Sequence, residues 1–188
     1  MNWLKGKKED YAPFELVNEK KSKYYIKLSP KPFSPVEEGD DSNVQYLSVV
    51  HIGGIPTTYD LKQMLINLQK EYDNSDEVNC FIIDGEKAWA DKATRVGLIN
   101  SCNTYEVKNK PLYPLWINGK VHNLPPAVIK AFLLDLEDYA IDCYNVKEQH
   151  LAEISALTTR DAILNYDVSN GYPEKIVLDT TQLNGSTE

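Results

Sequence analysis

The 188 residues are 42% hydrophobic and 26% charged, the balance of an ordinary globular chain that can bury a core of its own. Formal net charge is −8, and only Arg95 and Arg160 are arginines among twenty basic residues, which argues against a nucleic-acid ligand. Three cysteines, Cys80, Cys102 and Cys143, stand in no motif spacing. They imply no disulfide framework and fit a reducing compartment.

The N-terminus MNWLKGKKED lacks the apolar core of a secretory signal, and the longest aliphatic and aromatic runs are as short as AFLL. A soluble chain made in the cytoplasm, with no membrane partner, is expected. Charge is uneven. Residues 1–32 hold eight lysines against four acids, so the basic balance of this segment is offset by a strongly acidic remainder.

The first 56 residues read as strand and turn. Tyr24–Leu28 is rich in β-formers and is expected to stop at SPKPFSP, where prolines oppose pairing. An acidic loop, EEGDDSN, follows, and VQYLSVVHI forms a longer strand ended by Gly53, Gly54 and Pro56. Thr57 and Asp60 make a capping-box start for a helix. Leu61, Met64, Leu65, Leu68 and Tyr72 share one face of it, so it packs on the N-terminal strands. The polar run DNSDE at 73–77 marks a boundary between an N-terminal region, 1–72, and a second domain, 73–178.

Val78–Ile83 reads as a strand, Asp84-Gly85 as a two-residue turn, and Lys87–Trp89 as its returning partner. Asp91 caps a helix from Lys92 to about Ser101. Arg95 stands one turn on, placed to shield Asp91 at the helix edge. A second hairpin repeats the grammar, with LYPLWI and KVHNL joined at Asn118-Gly119. Pro125 and Pro126 open the longest helix, whose apolar stripe runs from Ile129 to about Leu157 and spans roughly 45 Å at 1.5 Å per residue. That seam suits either the core or another copy of the chain. Thr158 with Asp161 caps a short helix, KIVL makes a last strand, and 179–188 is expected to be a disordered tail. The fold class is therefore α+β.

No phosphate-cradling, dinucleotide, zinc-protease or nucleophile-elbow motif is present, so no cofactor is expected. Cys143 and His150 share a helix face but lie about 10.5 Å apart, too far for nucleophile activation, and no paired spacing supplies the remaining ligands of a metal site, so a core cysteine and a helix-edge histidine are expected. Asp135, Asp138 and Asp142 stand at i, i+3 and i+7. In a cleft such acids could serve a small hydrolase; on an amphipathic helix they describe its solvated face. Trp89, Asp91 and Arg95 form a candidate binding corner, although a hairpin anchor, a helix cap and surface polar groups account for them without any ligand. Exposed aromatics would instead suit a carbohydrate-binding module for host recognition.

Four passages carry a resemblance: YDNSDEVNCFIIDGEKAWADKATRVGLINS, LYPLWINGKVHNLP, LEDYAIDCYNVKEQHLAEISALTT and YDVSNGYPEKI. Together, over about residues 72–178, they resemble an uncharacterised family of phages and prophages whose genes often lie among those of tails and tail fibres. The matching positions are Trp89, Asp91, Lys92, Ala93, Thr94 and Arg95, then Trp116, Tyr139, Cys143, Tyr144 and His150. Tyr166, Asp167, Gly171, Tyr172, Pro173 and Glu174 complete them. Ala90 departs from the pattern, standing where a larger aliphatic residue is expected. The resemblance implies a structural or chaperone-like role in tail assembly, with a tail or tail-fibre protein as partner. It implies no active site.

Overall fold

The computed structural model describes residues 3–32 and 43–183. The fold is α+β, and the chain forms two compact units. One comprises Met1–Ser75 with Val146–Gly171, the other Asp76–Asn145 with Tyr172–Glu188. The first crossing falls in the polar run DNSDE, but the units interleave along the chain where consecutive domains, 1–72 and 73–178, were expected. Among the described residues no helix is long and apolar enough to cross a membrane.

The first unit holds β1 (Leu4–Lys7), β2 (Phe14–Asn18), β3 (Lys23–Pro32) and β4 (Asn43–Ile52) in one antiparallel sheet of order β1-β4-β3-β2. Because facing residues share a side, the pairs Ile26–Val49 and Leu28–Leu47 line one face. Ile26, Leu28 and Leu47 are buried there. Pairs Tyr25–Val50 and Lys23–Ile52 lie on the other face, where Val50 and Ile52 are exposed. β3 does not stop at its prolines as expected. Ser29 takes a left-handed φ of 53° and the register shifts between Leu28 and Lys31, so Pro30 sits in a bulge where its missing N–H breaks no ladder. The Ser29 hydroxyl donates to the Tyr166 carbonyl at 2.7 Å. Of the expected acidic loop at 37–43, only Asn43 is among the described residues.

Helix α1 (Thr58–Asp73) starts on the expected capping box. The Asp60 amide donates to Thr57 Oγ1 at 3.2 Å and the Thr57 amide to Asp60 Oδ2 at 2.9 Å. Leu61, Leu65, Leu68 and Tyr72 are buried, joined by Gln69, while Met64 is half-buried.

The second unit begins with β5 (Phe81–Ile83) and β6 (Glu86–Ala88), a hairpin whose Asp84 and Gly85 both have positive φ, 47° and 82°. That is the type I′ geometry which the sequence Asp-Gly favours. α2 (Lys92–Val107) runs past Ser101 to a stop that sequence reading missed. Asn109 adopts φ 52°, and the Lys110 amide returns to the Tyr105 carbonyl at 2.9 Å. β7 (Tyr113–Ile117) and β8 (Lys120–Leu124) form the second expected hairpin, with Asn118 and Gly119 at positive φ.

α3 (Pro126–Ala156) has 31 residues and belongs to the second unit as far as Asn145, then to the first. In the second unit Ile129, Phe132, Leu133, Leu136 and Tyr139 are buried. In the first, His150 and Ile154 are. α4 (Arg160–Leu164), capped by Thr159 rather than by Thr158, packs against α1 and β3 and joins helix to sheet within the first unit. The stretch 179–188, expected to be disordered, is ordered through Leu183, and residues 184–188 lie outside the described residues. β9 (Val177–Leu178) runs parallel to β5, and α5 (Thr180–Leu183) follows it.

Candidate functional site

Trp89 leaves the first hairpin and Asp91 caps α2, its carboxylate accepting the Thr94 amide at 2.7 Å. That hydrogen bond is the largest of several contacts that hold the Asp91 carboxyl below the usual carboxylate range; the charge of Arg95 adds a smaller effect.

Arg95 does not shield Asp91 at the helix edge, as the four-residue spacing suggested. It is 5% exposed and turns inward. Nη1 donates to the Ala90 carbonyl at 2.7 Å, while Nε and Nη2 both reach Glu137 Oε2, at 3.0 and 2.6 Å. A guanidinium offers its donors in a fixed fork, so one side chain joins the corner before α2 to the middle of α3. Hydrogen bonding from Arg95, then its charge and that of Lys92, holds the Glu137 carboxyl below its usual range. The Trp89 ring lies 5.6 Å from the guanidinium and is 37% exposed. Trp89, Asp91, Lys92, Thr94 and Arg95 therefore frame a corner, and their polar groups are largely spent within it. Buried Ala90 supplies the carbonyl that receives Arg95.

A second anchor was invisible in the sequence. Asp84, at the tip of the first hairpin, accepts the Thr180 amide at 2.8 Å and the Thr180 hydroxyl at 2.7 Å, with His122 Nδ1 3.2 Å away. These contacts, chiefly the Thr180 hydroxyl, lower the Asp84 carboxyl below its usual range. A group depressed in this way adds stability above its unfolded value of about 3.9, and loses it as pH falls through the folded value. Hydrogen–deuterium exchange of the C-terminal peptide, corrected for intrinsic rate, is expected to show loss of protection at Thr180 below about pH 4. Asp84→Gly, which keeps the turn, is expected to show the same loss at neutral pH.

The remaining family-like positions divide between the units. In the second, Tyr139 donates to the Val78 carbonyl at 2.7 Å and Cys143 is buried. Tyr172 and Pro173 are half-buried. In the first, His150 is 6% exposed, not at the helix edge. Its ring nitrogens lie 2.6 Å from the Tyr166 hydroxyl and 2.8 Å from the Asn170 carbonyl. Tyr166 donates to Glu153 at 2.6 Å. Burial first, and then Glu153, push the Tyr166 phenol up. Asp167 closes a local turn by accepting the Ser169 amide at 2.9 Å, and Gly171 takes φ 79°. These residues read as structure.

Asp135, Asp138 and Asp142 all lie on the open surface of α3, so they form no cleft of the kind a carboxylate hydrolase needs. Among the described residues no group of three or more metal-ligating side chains comes together. Burial pushes the Cys102 thiol up, away from the reactive thiolate. The second hairpin keeps apolar side chains outward. Trp116 and Val121 face each other across the second hairpin, 67% and 43% exposed, while Leu115 and Leu124 on its other side are buried.

The chain matches no family model, no curated protein and no solved structure.

Proposed function

We propose that this protein acts through protein–protein contacts, as a structural or assembly-assisting component of a phage or prophage tail region made in the host cytoplasm. The observation that supports contact is the outer face of the β7–β8 hairpin. Its inner face is core, so the strands are held in register, yet the directly paired Trp116 and Val121 remain in solvent. A large aromatic on a rigid hairpin loses little entropy on binding, which is why tryptophan dominates many interfaces. The tail assignment rests on the sequence resemblance over residues 72–178.

The test is capture by the tagged full chain from an induced lysogen lysate, read by mass spectrometry. Stoichiometric recovery of a tail or tail-fibre protein is expected. Trp116→Ala should weaken that recovery at least about tenfold, the effect of losing about 2 kcal/mol at an interface hot spot. Recovery of no virion protein overturns the reading. The exposure of Trp116 also suits a sugar ring, so the same variant is to be titrated with host surface polysaccharide. Trp116-dependent polysaccharide binding without tail-protein capture would assign the face to host recognition.

A further inference from the structure

We propose that the open face of the four-stranded sheet is a site for an uncharged saccharide, held across β2, β3 and β4 by the Lys27–Glu15 pair and the tyrosines around it. The site is built within the first unit and goes beyond the contact reading at Trp116.

One face of this sheet carries the core residues Ile26, Leu28 and Leu47. Lys27 alternates to the other face, yet it is only 8% exposed. Tyr25 is its neighbour on that side of β3, with Glu15 directly opposite Tyr25 on β2, and Ser48 faces Lys27 from β4. Tyr46, the next same-side residue of β4, completes the group. Rings cover the Lys27 ammonium: its Nζ lies 5.1 Å from the centre of Tyr46 and 6.0 Å from that of Tyr11. Glu15 meets it at 3.1 Å and is 55% exposed at its side chain.

An ammonium carries more donors than one carboxylate oxygen takes, and its burial costs solvation that a single partner offsets only in part. Among the described residues Lys27 Nζ has no polar partner besides Glu15, and the hydroxyls of Tyr25, Tyr46 and Ser48 have none. Donor and acceptor thus stand side by side, flanked by aromatic faces. A sugar ring is built in the same way. Neighbouring hydroxyls that donate and accept lie around its edge, and its C–H faces are apolar. One hydroxyl accepts from Lys27 while its neighbour donates to Glu15, and a ring face lies against a tyrosine. The pair cancels its own charge, so it does not call for an ionic ligand. An apolar protein surface laid here would strand the Lys27 donors, leaving a buried charge unsatisfied. Tyr25 faces Val50, so Tyr46 stands one strand over and four residues along, about 14 Å at 3.4 Å per residue. That span suits a short oligosaccharide rather than one ring.

The purified full chain is to be titrated by calorimetry with neutral trisaccharides of glucose, mannose, galactose and N-acetylglucosamine, and with inorganic phosphate. At least one trisaccharide is expected to bind with a Kd of about 1 mM or tighter, and phosphate not to compete. Tyr25→Ala should weaken that binding at least about tenfold. Lys27→Met keeps an apolar stem and removes the donors. It should weaken binding at least about tenfold while the melting temperature stays level or rises, since exchanging a buried ion pair for a hydrophobe is often neutral or stabilising. Failure of every sugar to bind, phosphate binding in their place, binding that survives Lys27→Met, or a Lys27→Met chain that melts well below wild type overturns the proposal. Capture of a tail protein through Trp116 is a separate measurement, so either reading can fall while the other stands.

Discussion

Phe81→Ala is expected to destabilise the second unit by about 3–5 kcal/mol, the range for emptying a buried aromatic site. Phe81 is 2% exposed on the central strand of the small sheet, and its ring meets that of Phe132 on α3 at 5.0 Å and 72°. The edge-to-face contact adds about 0.5–1.5 kcal/mol to the area buried. Collapse cannot refill the gap easily, since β5 is paired on one side with β6 and on the other with β9. Urea unfolding followed by tryptophan fluorescence measures the loss. Phe81→Leu, which keeps most of the volume, should cost about 1 kcal/mol. Equal losses in the two variants would show that the site is not tightly packed.

Glu137→Ala is expected to cost about 2 kcal/mol. Stripping the partner from a fully buried charge costs about 3–5 kcal/mol, but the Glu137 side chain is 35% exposed and water replaces part of what it gave. Arg95, 6% exposed at its side chain, cannot easily follow it into solvent, because Nη1 is held by the Ala90 carbonyl. A double-mutant cycle with Arg95→Ala isolates the pair, and the coupling should exceed that of Lys92 with Glu137, which meet at 3.6 Å with Lys92 exposed. Similar couplings would mean that the inward arginine is no better placed than a surface lysine. The pH dependence has a definite sign. The Glu137 carboxyl is held below its usual range, so its contribution is present at neutral pH and is lost as pH falls below about 4.

Local chemistry made much of this fold legible in the sequence. The Thr57–Asp60 box, the Asp91 cap and the Asp84-Gly85 and Asn118-Gly119 turns each depend on residues within a few positions of one another, and each forms as expected. What escaped depends on distance. Glu137 is 42 residues from Arg95, and on a helical wheel it belongs with the solvated acids around it. Thr180 is 96 residues from Asp84, in a stretch whose small polar composition suggests disorder. Prolines in β3 were misread for a related reason: a bulge with one left-handed residue accommodates Pro30, and only the partner strand reveals it. His150 looked like a helix-edge residue because its partners, Tyr166 and Asn170, lie beyond the end of its helix.

The interleaving of the two units has a consequence for anyone who dissects the chain. A fragment ending at Ser75 would lack Val146–Gly171, and with it Ile154, Ile163, Leu164 and Val168, all buried in the intact protein. A fragment beginning at Asp76 would carry those same residues with their own unit missing. Neither cut yields a self-sufficient piece, so a single nick between Ser75 and Asp76 should leave two halves that complement each other rather than two that stand alone.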